Sequence, residues 1–393
     1  MARFDDDQVP LDVLRQRAFN LRWATVEPDV IPLTAADPDF AVAPEIRAAI
    51  CAYTNDGVFS YGPPDGLPSF REVAAHTQRT RRAVPGCTPD CILPTDSAAS
   101  AMFVAARLAL APGDEALVFD PVDFLFRASV ESAGAKAVLC PVDAGTGELD
   151  LDAVAANIGP RTRLLTICNP HNPVGRVLTR TELEALAELA LRHNLWILSD
   201  EVWCDIVYPP HEHIATASLS DEVARRTLSV YGFSKTFGLA GLRVGFLSAA
   251  TTEVRDQLLE VSKAPTTAYG VSTLSQVAAQ AAYEHAWPWA DEFLAHLERM
   301  RDLAVGRLQS IPGLSVRSPE GTYVLLADIR SLGLGSEGEV AELLLREARV
   351  RVVPGEARWF GPGAAGRIRM TFCTSEGLLT EALDRIERVL TDR

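Results

Sequence analysis

The sequence predicts an α/β fold: a mainly parallel seven-stranded sheet sandwiched by helices, with a smaller α+β unit after it. Three observations carry this reading. Seven short apolar runs, "CILPT", "EALVFD", "AKAVLCPV", "RLLTICNP", "LWILSD", "RTLSVYGF" and "LRVGFLSA", punctuate residues 90–250. Helical patterns lie between several of them, among these "ASAMFVAARLALA", "FLFRASVESAG" and "RTELEALAELALRHN". Past residue 286 the pattern changes to one long helix, "PWADEFLAHLERMRDLAVGRLQSI", followed by strand, helix, strand, strand and a final helix ending in "TEALDRIERVL".

Each element has a reason. Apolar runs alternating with helices imply parallel strands covered on both faces, because a parallel connection needs a crossover long enough to hold a helix. The Pro- and Asp-rich first 40 or so residues are expected to pack against the small unit. The boundaries that follow are 1–45 for this segment, 46–285 for the large domain and 286–393 for the small one.

Composition narrows the function. Hydrophobic residues make up 48% of the 393 positions and charged residues 23%, the balance of a soluble globular chain. A net charge of −15 argues against nucleic acid as a partner, since phosphate recognition needs a basic face. No apolar run is long enough to span a membrane, and "MARFDDDQVP" lacks the basic-then-apolar profile of a signal peptide, so a cytoplasmic location is expected. The seven scattered cysteines read as reduced and mostly buried, "CTPDC" lacks the second ligand pair of a zinc site, and "HEH" at 211–213 reads as a solvated loop.

Lysine usage points to chemistry. The chain has 34 arginines and three lysines, Lys136, Lys235 and Lys263. An arginine stays protonated, whereas a lysine amine can lose its proton and attack a carbonyl. Lys235 lies in "YGFSKTFGLAGLR", between Ser234 and Thr236 and eight residues before Arg243, while Lys136 and Lys263 have no motif around them and read as surface residues. Two other predicted strands end in "NPHNPVGR" and "LSDEVWCD". Together these strand ends supply an amide, a carboxylate, an amine and a guanidinium, and ligands of such sheets bind where loops leave the carboxyl ends. That set suits a phosphorylated, protonatable heteroaromatic aldehyde.

These motifs, in this order and spacing, resemble the fold-type I pyridoxal 5′-phosphate enzymes of the class I/II aminotransferase superfamily, from about residue 20 onward. The resemblance implies that Lys235 forms the Schiff base and moves the substrate's α-proton. It implies that Asp200 meets the pyridinium nitrogen, Asn172 the phenolic oxygen, and Ser234 and Arg243 the phosphate. Val202 is expected on one ring face. "LPTDSAASAMF" occupies the phosphate loop, with Ser97, Ala98 and Ala99 at a helix N-terminus. Tyr61 matches a tyrosine that reaches the neighbouring subunit's phosphate, implying a homodimer with shared sites. Arg369 in "GRIRMTF" is expected on the substrate's α-carboxylate, with Ala36, Asn172 and Tyr61 beside the substrate. Arg367 is expected in solvent.

"LRWATVEPDVIPLTAADPDF" and "VPGEARWFG" further resemble the cystathionine β-lyase-like branch of C–S lyases. That branch implies β-elimination from a cysteine S-conjugate, with release of thiol, pyruvate and ammonia. The alternatives are an aminotransferase, or decarboxylation-coupled oxidative deamination to an aldehyde. The sequence departs from the family pattern at three positions. Asp123 stands where a ring-stacking aromatic is usual, with Phe124 or Phe126 as candidate substitutes. Trp203 stands where Tyr or His is usual, and Ser97 where Gly is usual.

Overall fold

The computed structural model describes residues 3–266 and 269–391. Near the N-terminus, β1 (Ile31–Pro32) leaves the main body and pairs in parallel with a strand from the far end of the chain. All seven predicted strands form: β2 (Ile92–Thr95), β3 (Glu115–Asp120), β4 (Lys136–Pro141), β5 (Thr162–Cys168), β6 (Trp196–Asp200), β7 (Thr227–Gly232) and β8 (Gly245–Ser248). They make one sheet in the order β2-β8-β7-β6-β5-β3-β4. Only β8 runs against its neighbours.

Register explains why the motifs meet. Cys168 at the end of β5 lies opposite Asp200 of β6, and Asp200 lies opposite Val230 of β7. "NPHN", Asp200 and the Lys235 turn therefore leave adjacent strands at one edge of the sheet. The flanking helices follow from local rules. Ser97 caps Ala98–Ala109 by accepting from the Ser100 amide, and Thr179 with Glu182 forms a capping box on Arg180–Arg192. The second helix buries Leu183, Leu186, Ala187 and Ala190, an i, i+3, i+4, i+7 stripe against the sheet.

The long helix spans Trp287–Gln309. Five strands follow it where three were expected: β9 (Ser315–Val316), β10 (Val324–Asp328), β11 (Val350–Arg351), β12 (Val353–Pro354) and β13 (Arg367–Thr371). β9, β11 and β12 are two residues each, too short to leave a period in sequence. Four of the five form the antiparallel sheet β12-β13-β10-β9, and β11 takes β1.

The N-terminal segment is fastened as well as paired. Arg22 is 2% exposed and Asp39 1%, and the two form a buried ion pair while Trp23 Nε1 donates to Asp39 Oδ1 at 2.7 Å. Arg349 binds Glu27 and Asp29 at the surface. Among the described residues, no helix is long and apolar enough to cross a membrane.

Candidate active site

The strand ends and the N-terminal segment enclose a cavity of about 510 Å³. Its lining includes Lys235, Asp200, Asn172, Ser234, Arg243, Ser97, Ala98, Ala99, Val202, Trp203, Asp123, Phe124, Ala36 and Arg369, every expected site residue but one. The exception is Tyr61, which is 92% exposed and outside this cavity.

Lys235 is half-buried. Its Nζ donates to the Ala36 carbonyl at 2.8 Å and lies 5.1 Å from the centre of the Trp203 ring. Burial lowers its proton affinity below that of an ordinary lysine, with Asp37 acting in the opposite direction. The N-terminal segment thus supplies the lysine's acceptor, and the Arg22–Asp39 pair fixes where that acceptor sits.

Asp200 is buried, and burial raises its pKa from 3.8 to about 7. The Val202 amide donates to Oδ1 at 3.1 Å and opposes the shift, while Asp123 adds to it. Such a carboxyl has spare affinity for a positive charge. Nearby, Arg369 Nη2 donates to Thr34 O at 2.8 Å and Nη1 to Asn172 Oδ1 at 3.4 Å, while its Nε is buried with no hydrogen-bond partner among the described residues. A buried donor without a partner costs about 1–3 kcal/mol until an acceptor arrives. Arg243 lines the same cavity, is exposed, and makes no side-chain hydrogen bond or ion pair among the described residues.

Beside Arg243 the helix Ala98–Ala109 presents first-turn amides that have no partner within their own helix. The Ser97 hydroxyl is occupied as the cap, accepting from Ser100 N at 3.0 Å and donating to Asp96 at 3.2 Å. This helix end sits close against β8. A Cβ at Gly245 would come within 2.8 Å of the Ala98 nitrogen and 2.7 Å of the Tyr231 oxygen, so glycine is required there.

Asp123 is held by two donors, the Leu125 amide to Oδ1 at 3.1 Å and Asn172 Nδ2 to Oδ2 at 3.0 Å. Phe124 and Phe126 both line the cavity, Phe124 with its ring edge-on to Trp359 at 6.1 Å. Sequence reasoning missed Trp359, Phe360, Leu21 and Cys168 as lining residues. The quoted "VPGEARWFG" contained the first two, but nothing in its pattern gave their direction.

Two local readings are corrected. "HEH" is not simply a solvated loop: His213 Nε2 meets the buried Glu201 Oε2 at 3.1 Å, beside a Tyr231 hydroxyl that donates to the same oxygen at 2.6 Å. Arg367 is 9% exposed and pairs with Asp328 at 3.4 Å. Residues two apart on a strand share a face, so Arg367 follows Arg369 into the protein.

The family described as aminotransferase class I and II matches residues 28–386 of the chain. An aspartate aminotransferase of Pyrococcus abyssi is 33% identical over 93% of this chain and 92% of its own length. An arginine–pyruvate transaminase of Pseudomonas aeruginosa is 34% identical over 91% and 89%. The solved structure of a pyridoxal-phosphate-bound putative aminotransferase from Clostridium difficile superposes with a TM-score of 0.88 at 28% identity, covering 96% of this chain and 98% of that one.

The expectation of a β-eliminating C–S lyase is overturned by these relatives, which are named as aminotransferases. The structure supplies the physical reason for the error. In "LRW…ADPDF", the distinctive Arg22, Trp23 and Asp39 form a buried bracket that holds the N-terminal segment, and their side chains do not line the cavity. The signature reports scaffolding, and scaffolding does not decide what becomes of a substrate's Cβ.

Proposed function

The chain belongs to the class I and II aminotransferase family, and on that footing we propose that it transfers the amino group of an α-amino acid to a 2-oxo acid. The cofactor is pyridoxal 5′-phosphate, which when bound supplies a carbonyl carbon that takes up and returns the amino group and a ring that draws electron density from the substrate Cα. The chain's groups fit it: a buried carboxyl with affinity for a cation, an unpaired arginine, free first-turn amides and an amine share one cavity.

The Lys235 amine holds the group and carries the proton taken from Cα, two tasks suited to an amine whose proton affinity burial has lowered. Asp200 would meet the ring nitrogen and hold its proton in place. Asn172 has one amide hydrogen on Asp123 and its second left for the ring's phenolic oxygen. Arg243, Ser234 and the amides of Ala98 and Ala99 receive the phosphate. Val202 would lie against one ring face, with Phe124 the available aromatic for the other. Trp203 keeps the Lys235 amine over its own face.

Arg369 carries the argument for an amino-acid substrate. Its unpartnered Nε and its cavity position suit an α-carboxylate, which would fix the Cα–H bond relative to Lys235. The exposed Val58, Phe59, Tyr61 and Tyr269 support a homodimer in which Tyr61 of a second copy completes the site. Incubating the holoenzyme with a panel of L-amino acids and 2-oxo acids tests the reading. New amino acid should form in equal amount to the 2-oxo acid derived from the donor, and only with an acceptor present. Ammonia release without an acceptor, or no turnover at all, would refute it.

A further inference from the structure

Asp123 is an ionic group of the cavity to which the proposed reaction gives no contact, and it acts on its neighbours Lys235 and Arg369 through its charge without pairing directly with either. Under that reading, on which this inference rests, Asp200 meets the ring nitrogen, Arg243 the phosphate and Arg369 the α-carboxylate. Asp123 makes no ion pair among the described residues, and its two hydrogen-bond donors, Leu125 N and Asn172 Nδ2, are neutral. A half-buried carboxylate held by neutral donors attracts any cation delivered to it.

Its position says which part of a substrate could deliver one. Asn172 bridges Asp123 and Arg369, donating to the first at 3.0 Å and accepting from the second at 3.4 Å. Asp123 thus lies one side-chain amide away from the α-carboxylate anchor. The loop carrying it is stitched to the Trp359–Phe360 segment, because Val122 N donates to Phe360 O and Phe124 N to Trp359 O, both at 2.9 Å. The carboxylate therefore adjoins three cavity-lining aromatics, Phe124, Trp359 and Phe360. These rings already accept cations, Phe360 with the Arg369 guanidinium 5.1 Å from its centre and Trp359 with that of Arg358 at 5.2 Å, so the carboxylate lies in surroundings suited to positive charge. The nearest competing arginine on that segment, Arg358, does not line the cavity and is paired with Glu356.

We infer that Asp123 is a specificity-determining residue that selects amino acids carrying a second positive charge on the side chain. Where related sites place an aromatic ring, this one places a counter-ion for an ammonium or guanidinium group.

The test compares charged substrates with uncharged near-isosteres, L-ornithine with L-norleucine and L-arginine with L-citrulline. The holoenzyme is assayed with a saturating 2-oxo acid, and binding of α-methyl-L-ornithine and α-methyl-L-norleucine, which have no α-proton to lose, is followed by absorbance. The wild type should favour the charged member of each pair by about tenfold or more in kcat/KM, and the charged analogue by a similar factor in Kd. Asp123→Asn should remove most of that preference and Asp123→Glu should keep part of it. A wild-type ratio near one, or an equal loss for both members in Asp123→Asn, would overturn the inference. Product formation without charge preference defeats the inference alone. Charge-selective analogue binding without amino transfer supports it while defeating the proposed reaction.

Discussion

Replacing Asp200 with Asn should stabilise the cofactor-free protein while disabling it. The carboxyl is buried, and its pKa stands at about 7 against a reference of 3.8. A raised folded-state pKa means that the folded chain binds the proton more tightly than the unfolded chain. Stability is then greatest below the unfolded value, near pH 4, falls as pH rises to about 7, and is flat above that. Each tenfold difference in proton affinity is worth about 1.4 kcal/mol, so the ionised carboxylate costs the folded state about 4 kcal/mol at pH 8. Other acidic groups add their own pH dependence, so the readout is the difference from Asp200→Asn, which keeps the shape and cannot ionise. Urea denaturation of both cofactor-free proteins between pH 5 and 8 should show the wild type losing about 3 kcal/mol relative to the variant over that range. Adding pyridoxal 5′-phosphate should stabilise the wild type more than the variant, because only the wild type has a carboxylate to meet the ring nitrogen's charge. A wild type and variant with parallel pH profiles would show that Asp200 is not held at elevated proton affinity, and the account of its role would fail.

Three further outcomes follow from the same geometry. Arg369→Leu should load cofactor normally yet lose about 10²–10³-fold in kcat/KM, since a two-donor charged contact is worth about 3–4 kcal/mol; unchanged kinetics would remove Arg369 from the substrate. Asp39→Ala leaves the buried Arg22 unpaired and should cost about 3–5 kcal/mol by urea melting, most of it recovered in Arg22→Met/Asp39→Leu, where no charge remains; a double variant no better than the single would contradict the bracket. Tyr61→Ala and Lys235→Ala, each inactive alone, should recover about a quarter of wild-type activity when mixed and re-equilibrated, because half of the dimers then hold one intact site; no recovery would argue against sites shared between subunits.

How far the sequence could be read depended on the range of the interaction that fixes each residue. The central sheet was legible because each strand is a contiguous apolar run, and the Asn172, Asp200 and Lys235 motifs were legible because strand register brings their ends together without further information. Strands of two residues leave no period, so the five strands after the long helix were read as three. Contacts across long separations were equally silent. Nothing near His213 announces that it faces Glu201, and nothing in "VPGEARWFG" says that Trp359 and Phe360 reach a cavity opened by strands more than 100 residues earlier.

The lyase reading failed for a related reason. Arg22, Trp23 and Asp39 form a conspicuous pattern because a buried ion pair tolerates little substitution, as an uncompensated charge in the interior costs several kcal/mol. What the pattern secures is the path of the segment that brings the Ala36 carbonyl to Lys235 Nζ. Any enzyme that must hold this lysine at this place can use that bracket, whatever leaves the substrate afterwards. The residues that can distinguish one reaction or substrate from another are those meeting the substrate beyond Cα, and in this chain they are Asp123 and the aromatic rings around it. A single carboxylate leaves no spacing or period to recognise, and it acquires meaning only once its neighbours Asn172 and Arg369 are given their own roles.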